Sequence, residues 1–183
     1  MKLVIWMLAA AALMPGQDKQ AEVAVPNVEL TVYLLSGAVQ GAATDDVPQD
    51  LVSTAKQLHT VFAYKSYRLS ESFVLRGRAA VGQGFQNAQT QGILPGAGLH
   101  YSFSYQRVRV SGDKPRMVHI DQLGIRLTTP ITYSSDNKER STTVASINTD
   151  LDLAEGQKTV VGKSSINNVG DALILVIVPK VIE

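Results

Sequence analysis

The sequence predicts an α+β fold: a strand-dominated, antiparallel or mixed, sandwich-like sheet structure with one main amphipathic helix behind an N-terminal signal peptide. Three observations carry that expectation. Apolar and polar residues alternate with period two in several separate runs, among them "NVELTVYLLSG", "YRLSESFVLRGR" and "INTDLDL". Only one run, "DDVPQDLVSTAKQLHTVF", places its apolar residues at helical spacing. The chain has 183 residues, 45% of them hydrophobic and 18% charged, a composition suited to one globular domain with a sizeable core.

The elements follow in order. Residues 1–16, "MKLVIWMLAAAALMPG", combine Lys2 with eleven apolar residues from Leu3 to Leu13 and a Pro15-Gly16 junction, the layout of a secretory signal. A spanning helix needs about 20 apolar residues, so the run is short for a permanent anchor. Residues 17–26 read as a flexible N-terminal segment and 27–183 as a single α+β domain. The chain has no cysteine, which removes disulfides and a lipoprotein anchor, so an exported domain of this kind rests on packing and strand pairing.

The first strand shows Val28, Leu30, Val32 and Leu34 on one face. In the helix, Leu51, Ala55, Leu58 and Phe62 form one stripe, Asp46 and Gln49 have capping-box spacing, and Pro48 is tolerated in the first turn. Tyr67, Leu69, Phe73 and Leu75 then alternate as a second strand, and "GQGFQNAQTQGILPGAG" reads as a loop or a weakly specified hairpin. The segment "LHYSFSYQRVRVSGDKPRMVHIDQLGIRL" predicts a hairpin turning near "DKP". One register sets Tyr101 opposite Leu127, Phe103 opposite Ile125, Tyr105 opposite Leu123, Arg107 opposite Asp121, Val108 opposite Ile120, Arg109 opposite His119 and Val110 opposite Val118. Both strands exchange their buried face near residues 106 and 122, which predicts a bend or bulge there. "TTPITYSSDNKERSTT" reads as a Ser/Thr-rich loop, followed by a strand with Ala145, Ile147, Leu151 and Leu153 on one face and Asp150 and Asp152 on the other, read as solvated. The final run, "ALILVIVPKVIE", does not alternate. That argues for burial on both faces, or for one face in the core and the other against a partner or lipid.

Without residues 1–16 the chain has 16 basic and 16 acidic residues, formally neutral. The neutrality hides a gradient: residues 64–126 hold nine Lys or Arg against three acids, while acids gather in "TDDVPQD" and "NTDLDLAEG". A basic patch including Arg107 and Arg109 suits a polyanion, a lipid headgroup or an acidic partner surface, although solvated strand faces have the same composition. Nucleic acid is a poor partner behind an export signal. No nucleophile elbow, zinc helix motif, phosphate loop or dinucleotide fingerprint is present, and His59, His100 and His119 do not form a ligand set. No cofactor and no metal is expected, and each histidine reads as structural. A hydrolase would need a cleft with a nucleophile beside a histidine.

The closing segment resembles a known family. Gly156, Gln157, Thr159, Val160, Val161 and Gly162, followed by Leu173 to Val178 and Pro179, Lys180, Val181 and Ile182, are similar to the end of the bacterial secretins, outer-membrane channels whose chains close on a "GqTvviGG" strand and an "ellifitPrii" strand. The likeness covers about forty of the 183 residues. Lys163 replaces the second glycine of the pair, and "KSSINNVGD" is shorter than the membrane-lip segment a secretin inserts. The resemblance implies a strand pair built on Val160, Val161, Leu173, Leu175 and Ile177, and a strand, helix, strand unit upstream similar to the small ring-building modules of that family.

The function expected from these readings is that of an exported, non-catalytic protein of the periplasm or outer envelope, or one that is released. It acts by protein packing or strand pairing with itself or with other envelope proteins, and a membrane surface remains open as a partner. The alternative is a small-ligand-binding domain with Tyr101, Phe103 and Tyr105, together with Tyr64 and Tyr67, as pocket walls, although core packing explains the same aromatics. A hydrolase is the third reading.

Overall fold

The computed structural model describes residues 25–80, 87–95, 98–132, 139–166 and 170–182. The signal-like residues 1–16, residues 17–24 of the N-terminal segment and residues 81–86 of the Gly/Gln-rich stretch lie outside the described residues.

Among the described residues the strands are β1 (Asn27–Ala38), β2 (Ser66–Arg78), β3 (Ala88–Ile93), β4 (His100–Tyr105), β5 (Arg107–Ser111), β6 (Met117–Thr132), β7 (Glu139–Ala154), β8 (Thr159–Ser165) and β9 (Ala172–Ile182), with one α-helix, α1 (Val52–Val61). They form two antiparallel sheets. Sheet I has the order β2-β1-β9-β8; sheet II runs β3-β4-β6-β5, with β7 on the other side of β6. Residues of both sheets share one apolar cluster, Leu30, Val32, Leu175 and Ile177 meeting Phe103, Ile120, Leu123 and Ile125, so the sheets stack face to face. A second cluster lies on the opposite face of sheet I, where Leu35, Tyr67, Ile174 and Val176 pack against Leu51, Ala55 and Leu58 of the helical segment. The layers are therefore α1, sheet I and sheet II.

This layering accounts for the unpatterned terminal run. β9 lies between β1 and β8, and Ala172 to Ile177 are all at most 1% exposed. Leu173, Leu175 and Ile177 face sheet II, whereas Ile174 and Val176 face the helix layer. A strand buried on both faces has no reason to alternate. Burial of each of its large side chains contributes roughly 1.5–3 kcal/mol. Val160 pairs with Val176 and Gly162 with Leu175, with a bulge at Val161 between them. Pro179 sits where β8 has ended: the β8 ladder stops at Ile177, and the Pro179 carbonyl accepts from the Gly156 N–H at 2.7 Å. The strand gives up a donor only on the side where β8 no longer runs. On its other side β9 stays paired with β1 as far as Ile182 opposite Asn27.

Two local expectations are corrected. Asp46 and Gln49 do not form a capping box. Gln49–Leu51 is a short 3-10 turn behind Pro48, and neither it nor α1 begins with a side-chain cap. Asp45 instead accepts the Tyr67 N–H at 2.8 Å, and the Asp46 backbone donates to the Tyr67 carbonyl and accepts from Leu69 N–H, pinning the segment to β2. The Ser/Thr-rich stretch is also less of a loop than its composition suggests. β6 continues to Thr132 and β7 begins at Glu139, with Pro130 opposite Ser141. Thr and Ser favour extended backbone, and Ser141 to Thr143 are exposed, so polar residues continue the ladder past the core. Residues 133–138 of that stretch lie outside the described residues.

Candidate functional site

Sheet I is covered by sheet II on one face and, around Leu35, Tyr67, Ile174 and Val176, by the helix layer on the other, while sheet II has one face in the core and the other turned to solvent. The outward residues of that open face include Gln89, Ser104, Arg109, Ser111, Asn148, Asp150 and Asp152, all exposed or half-buried. Their arrangement follows from the hairpin register. Arg107 stands opposite Asp121, Val108 opposite Ile120, Arg109 opposite His119 and Val110 opposite Val118, and above them Tyr101 opposite Leu127 and Phe103 opposite Ile125.

The face is broken where the alternation predicts a bulge. Gln106 separates β4 from β5, and on β6 the two residues Asp121 and Gln122 fall between the pairs Ile120↔Leu151 and Leu123↔Thr149. Gln122 takes φ 50, a left-handed conformation that costs a residue with a Cβ about 1 kcal/mol. Local hydrogen bonds hold it there: Gln122 N–H donates to Asp150 Oδ1 at 2.7 Å, and Gln106 N–H donates to the Asp121 carbonyl at 3.0 Å. Bulges re-aim neighbouring side chains. Below this one Asp121, His119 and Met117 point outward; above it Gly124 and Arg126 do.

On one side of the bulge, three adjacent strands contribute a line of polar side chains. Ser111 Oγ of β5 lies 2.6 Å from His119 Nε2 of β6, and His119 Nδ1 lies 2.5 Å from Asp152 Oδ1 of β7. An ionised carboxylate only accepts, so Nδ1 carries the proton toward Asp152. In the neutral imidazole Nε2 is then the acceptor for the Ser111 hydroxyl. Beside them Arg109 Nη2 donates to Asp121 Oδ1 at 2.9 Å, with Arg107 Nη1 at 3.9 Å from Asp121 Oδ2. The floor under this network is core, since Val108, Val118, Ile120 and Leu153 are at most 2% exposed.

On the other side of the bulge lies an open groove of about 560 Å³ lined by side-chain amides and an acid, among them Asn87, Gln89, Gln106, Gln122, Asn148 and Asp150. Amides offer both donors and acceptors, so this groove suits a polar ligand rich in hydroxyl or amide groups. A smaller hollow of about 320 Å³, lined by Gln106, Arg107, Asp121, Gln122 and Asp150, adjoins it on the side of the charged network.

The residues singled out by the sequence divide accordingly. Arg107 and Arg109 belong to the open face, and their shared partner is Asp121. Tyr101, Phe103 and Tyr105 point the other way into the inter-sheet cluster, at 7%, 0% and 6% exposure, with Phe73 stacked on Tyr101 at 5.4 Å between centroids. Burial raises the pKa of Tyr101, with Glu71 adding to it, and burial also raises that of Tyr105. Tyr64 and Tyr67 lie in the cluster on the far face of sheet I. The five aromatics therefore do not converge on one pocket, because sheet I stands between them. Val160, Leu173, Leu175 and Ile177 pair between strands within this chain, whereas Val161 is the bulged residue of β8 and packs against the inter-sheet core.

His119 and Asp152 read as structural and solvated residues in the sequence. The β6–β7 register sets them directly opposite each other. The signal that leads to them is the hairpin register, which sets Ser111 directly opposite Met117, two residues from His119 along the same face. Among the described residues no group of three or more His, Cys, Asp or Glu is arranged to hold a metal ion, and no helix is long and apolar enough to cross a membrane. Comparison of the chain with protein-family models, with curated proteins and with solved structures finds no match.

Proposed function

We propose that the chain is an exported protein of the cell envelope that acts by binding another macromolecule through the open face of sheet II. The observation that carries the reading is the outward face of sheet II, where the amide groove and the Arg109–Asp121 network lie side by side. Export is supported by the signal-like residues 1–16. The terminal strand is a weaker candidate for partner contact, because β9 is already paired on both edges and covered on both faces. The aromatic ligand pocket loses its basis with the separation of Tyr101, Phe103 and Tyr105 from Tyr64 and Tyr67.

The test is retention of the chain from Gln17 onward on washed envelope fractions, beside a variant carrying Arg109→Glu and Asn148→Lys. Both residues are exposed, so the variant is expected to keep its fold, with circular dichroism as the control. Saturable binding that falls at least tenfold in the variant supports the reading. Equal retention of the two proteins, or no retention of either, removes it.

One observation favours strand pairing at a different place. From Leu69 to Arg78, β2 has β1 on one edge and no strand partner on the other among the described residues, and Val74 is 54% exposed. An open edge of this length is a template for another strand. Light scattering after size-exclusion chromatography tests it: a dimer that becomes a monomer on Val74→Lys supports pairing at β2, and a wild-type monomer excludes it.

A further inference from the structure

We infer that Ser111 is a base-activated nucleophile that accepts an acyl group from small esters, an activity that goes beyond binding. Ser111, His119 and Asp152 come from three adjacent strands and meet in the order hydroxyl, imidazole, carboxylate, at 2.6 Å and 2.5 Å. Such a constellation is recognised by geometry and role, since it recurs on unrelated folds with the residues in any chain order. Here Asp152 fixes the tautomer, leaving the Nε2 lone pair aimed at the Ser111 hydroxyl. The residues stand on paired strands over a close-packed floor, so their geometry is held by the ladder and does not depend on a loop.

The step balances with water as the only co-reactant. Nε2 takes the Ser111 hydroxyl proton as Oγ bonds to the acyl carbon. The ester C–O bond then breaks, and Nε2 returns the proton to the departing alcohol oxygen. A water molecule, deprotonated by the same nitrogen, attacks the acyl-Ser111, releasing the carboxylic acid and restoring the hydroxyl. Negative charge develops on the acyl oxygen during both attacks. The nearest cation along β5 is Arg109, two positions before Ser111 on the same face, whose guanidinium has five N–H donors and shows Nη2 engaged with Asp121. Arg109 and Asp152 are positioning residues in this assignment; Ser111 and His119 touch the reacting atoms.

The surroundings limit the substrate. The His119 side chain is 29% exposed and that of Asp152 69%, so the site is open, without deep walls to grip a large acyl chain. The matching class is a short acyl ester, such as an acetyl group on an accessible hydroxyl.

The experiment uses the full chain with a fluorophosphonate probe and with p-nitrophenyl acetate, and needs no binding partner, so it stands apart from the envelope-retention test. Peptide mapping is expected to find the probe on Ser111 in the folded protein and to lose it in urea. Ester cleavage is expected to fall at least tenfold in Ser111→Ala and in His119→Ala. Asp152→Asn should slow labelling at least tenfold, with partial recovery in Asp152→Glu, a pattern that a purely structural carboxylate does not give. Probe absent from Ser111, labelling that persists in urea, or Ser111→Ala cleaving at the wild-type rate overturns the assignment. If a variant fails to fold, the wild-type labelling with and without urea still decides.

Discussion

Tyr67 is fully buried between sheet I and α1, and its hydroxyl has no hydrogen-bond partner among the described residues. The ring is fixed by edge contacts with His59 at 4.6 Å and Tyr64 at 6.0 Å between centroids, and His59 is itself held by Asp45 at 3.0 Å. An unpaired buried hydroxyl costs about 1–3 kcal/mol. Tyr67→Phe keeps the ring and removes that cost, so it is expected to stabilise the protein by about 1 kcal/mol in urea unfolding. Burial, reinforced by Tyr64 and Asp45, pushes the Tyr67 pKa up to about 12 from 10.0. Below pH 10 the phenol is neutral in folded and unfolded chains alike, and its contribution is constant. Between about 10 and about 12 only the unfolded chain ionises, so stability falls as pH rises. Tyr67→Phe should flatten that alkaline limb in a series of unfolding curves, and an unchanged slope would assign the pH dependence to other groups.

At the scale of elements, β9 carries the most consequence. It is the strand between β1 and β8, and its faces join the two apolar clusters. A chain ending after Gly170 lacks it altogether, leaving β1 and β8 with open edges and exposing Leu35 and Leu58 on one side and Leu30 and Val32 on the other. The loss of several large buried side chains, at roughly 1.5–3 kcal/mol each, exceeds the 5–15 kcal/mol net stability of a typical domain. The truncated chain is expected to be unfolded, with exchange of nearly all amides within the dead time of a hydrogen-exchange experiment. A folded monomeric truncation product would show that β9 is dispensable to the core. The bulge in β6 is the second consequential element, because its extra residue sets which side chains of β6 and β7 share the open face.

The whole molecule is closed by its ends. β1 begins at Asn27 and pairs with β9 through Ile182, so sheet I is completed only when the last strand arrives, while β3 to β7 form sheet II from the intervening chain. Pairing across such a sequence separation requires loop closure before any contact rewards it. Refolding is expected on the millisecond-to-second scale typical of sandwich-like domains, with amides of β1 and β9 protected after those of the β4–β5–β6 hairpin in pulse-labelled exchange. Protection of β9 before the hairpin would contradict that order. Slow completion also leaves the β9 segment exposed in the meantime, and a strand this apolar is an aggregation hazard until it is covered.

Local pattern was enough for much of this. Alternation and helical spacing predict the strand-dominated α+β class, one main helix and the hairpin register from Tyr101 to Leu127, down to the break near Gln106 and Gln122, but leave the sheet antiparallel or mixed; strand pairing makes it antiparallel. The hairpin strands are neighbours in the chain, and cross-strand complementarity leaves only one good alignment. The non-alternating terminal run likewise stated that both its faces were covered or engaged, but not by what. Tertiary structure decided that α1 and sheet II cover it, since a hydrophobic side chain carries no address. Tertiary structure also decided that sheet I separates Tyr101, Phe103 and Tyr105 from Tyr64 and Tyr67. Asp152 meets His119 for a similar reason: β7 joins β6 after a connection with no register signal, and two irregularities, between Leu127 and Thr128 and between Ile120 and Leu123, shift the alignment by one residue and then restore it. A one-residue slip turns every side chain to the opposite face, so the Ser111, His119 and Asp152 line exists only once the three strands are paired.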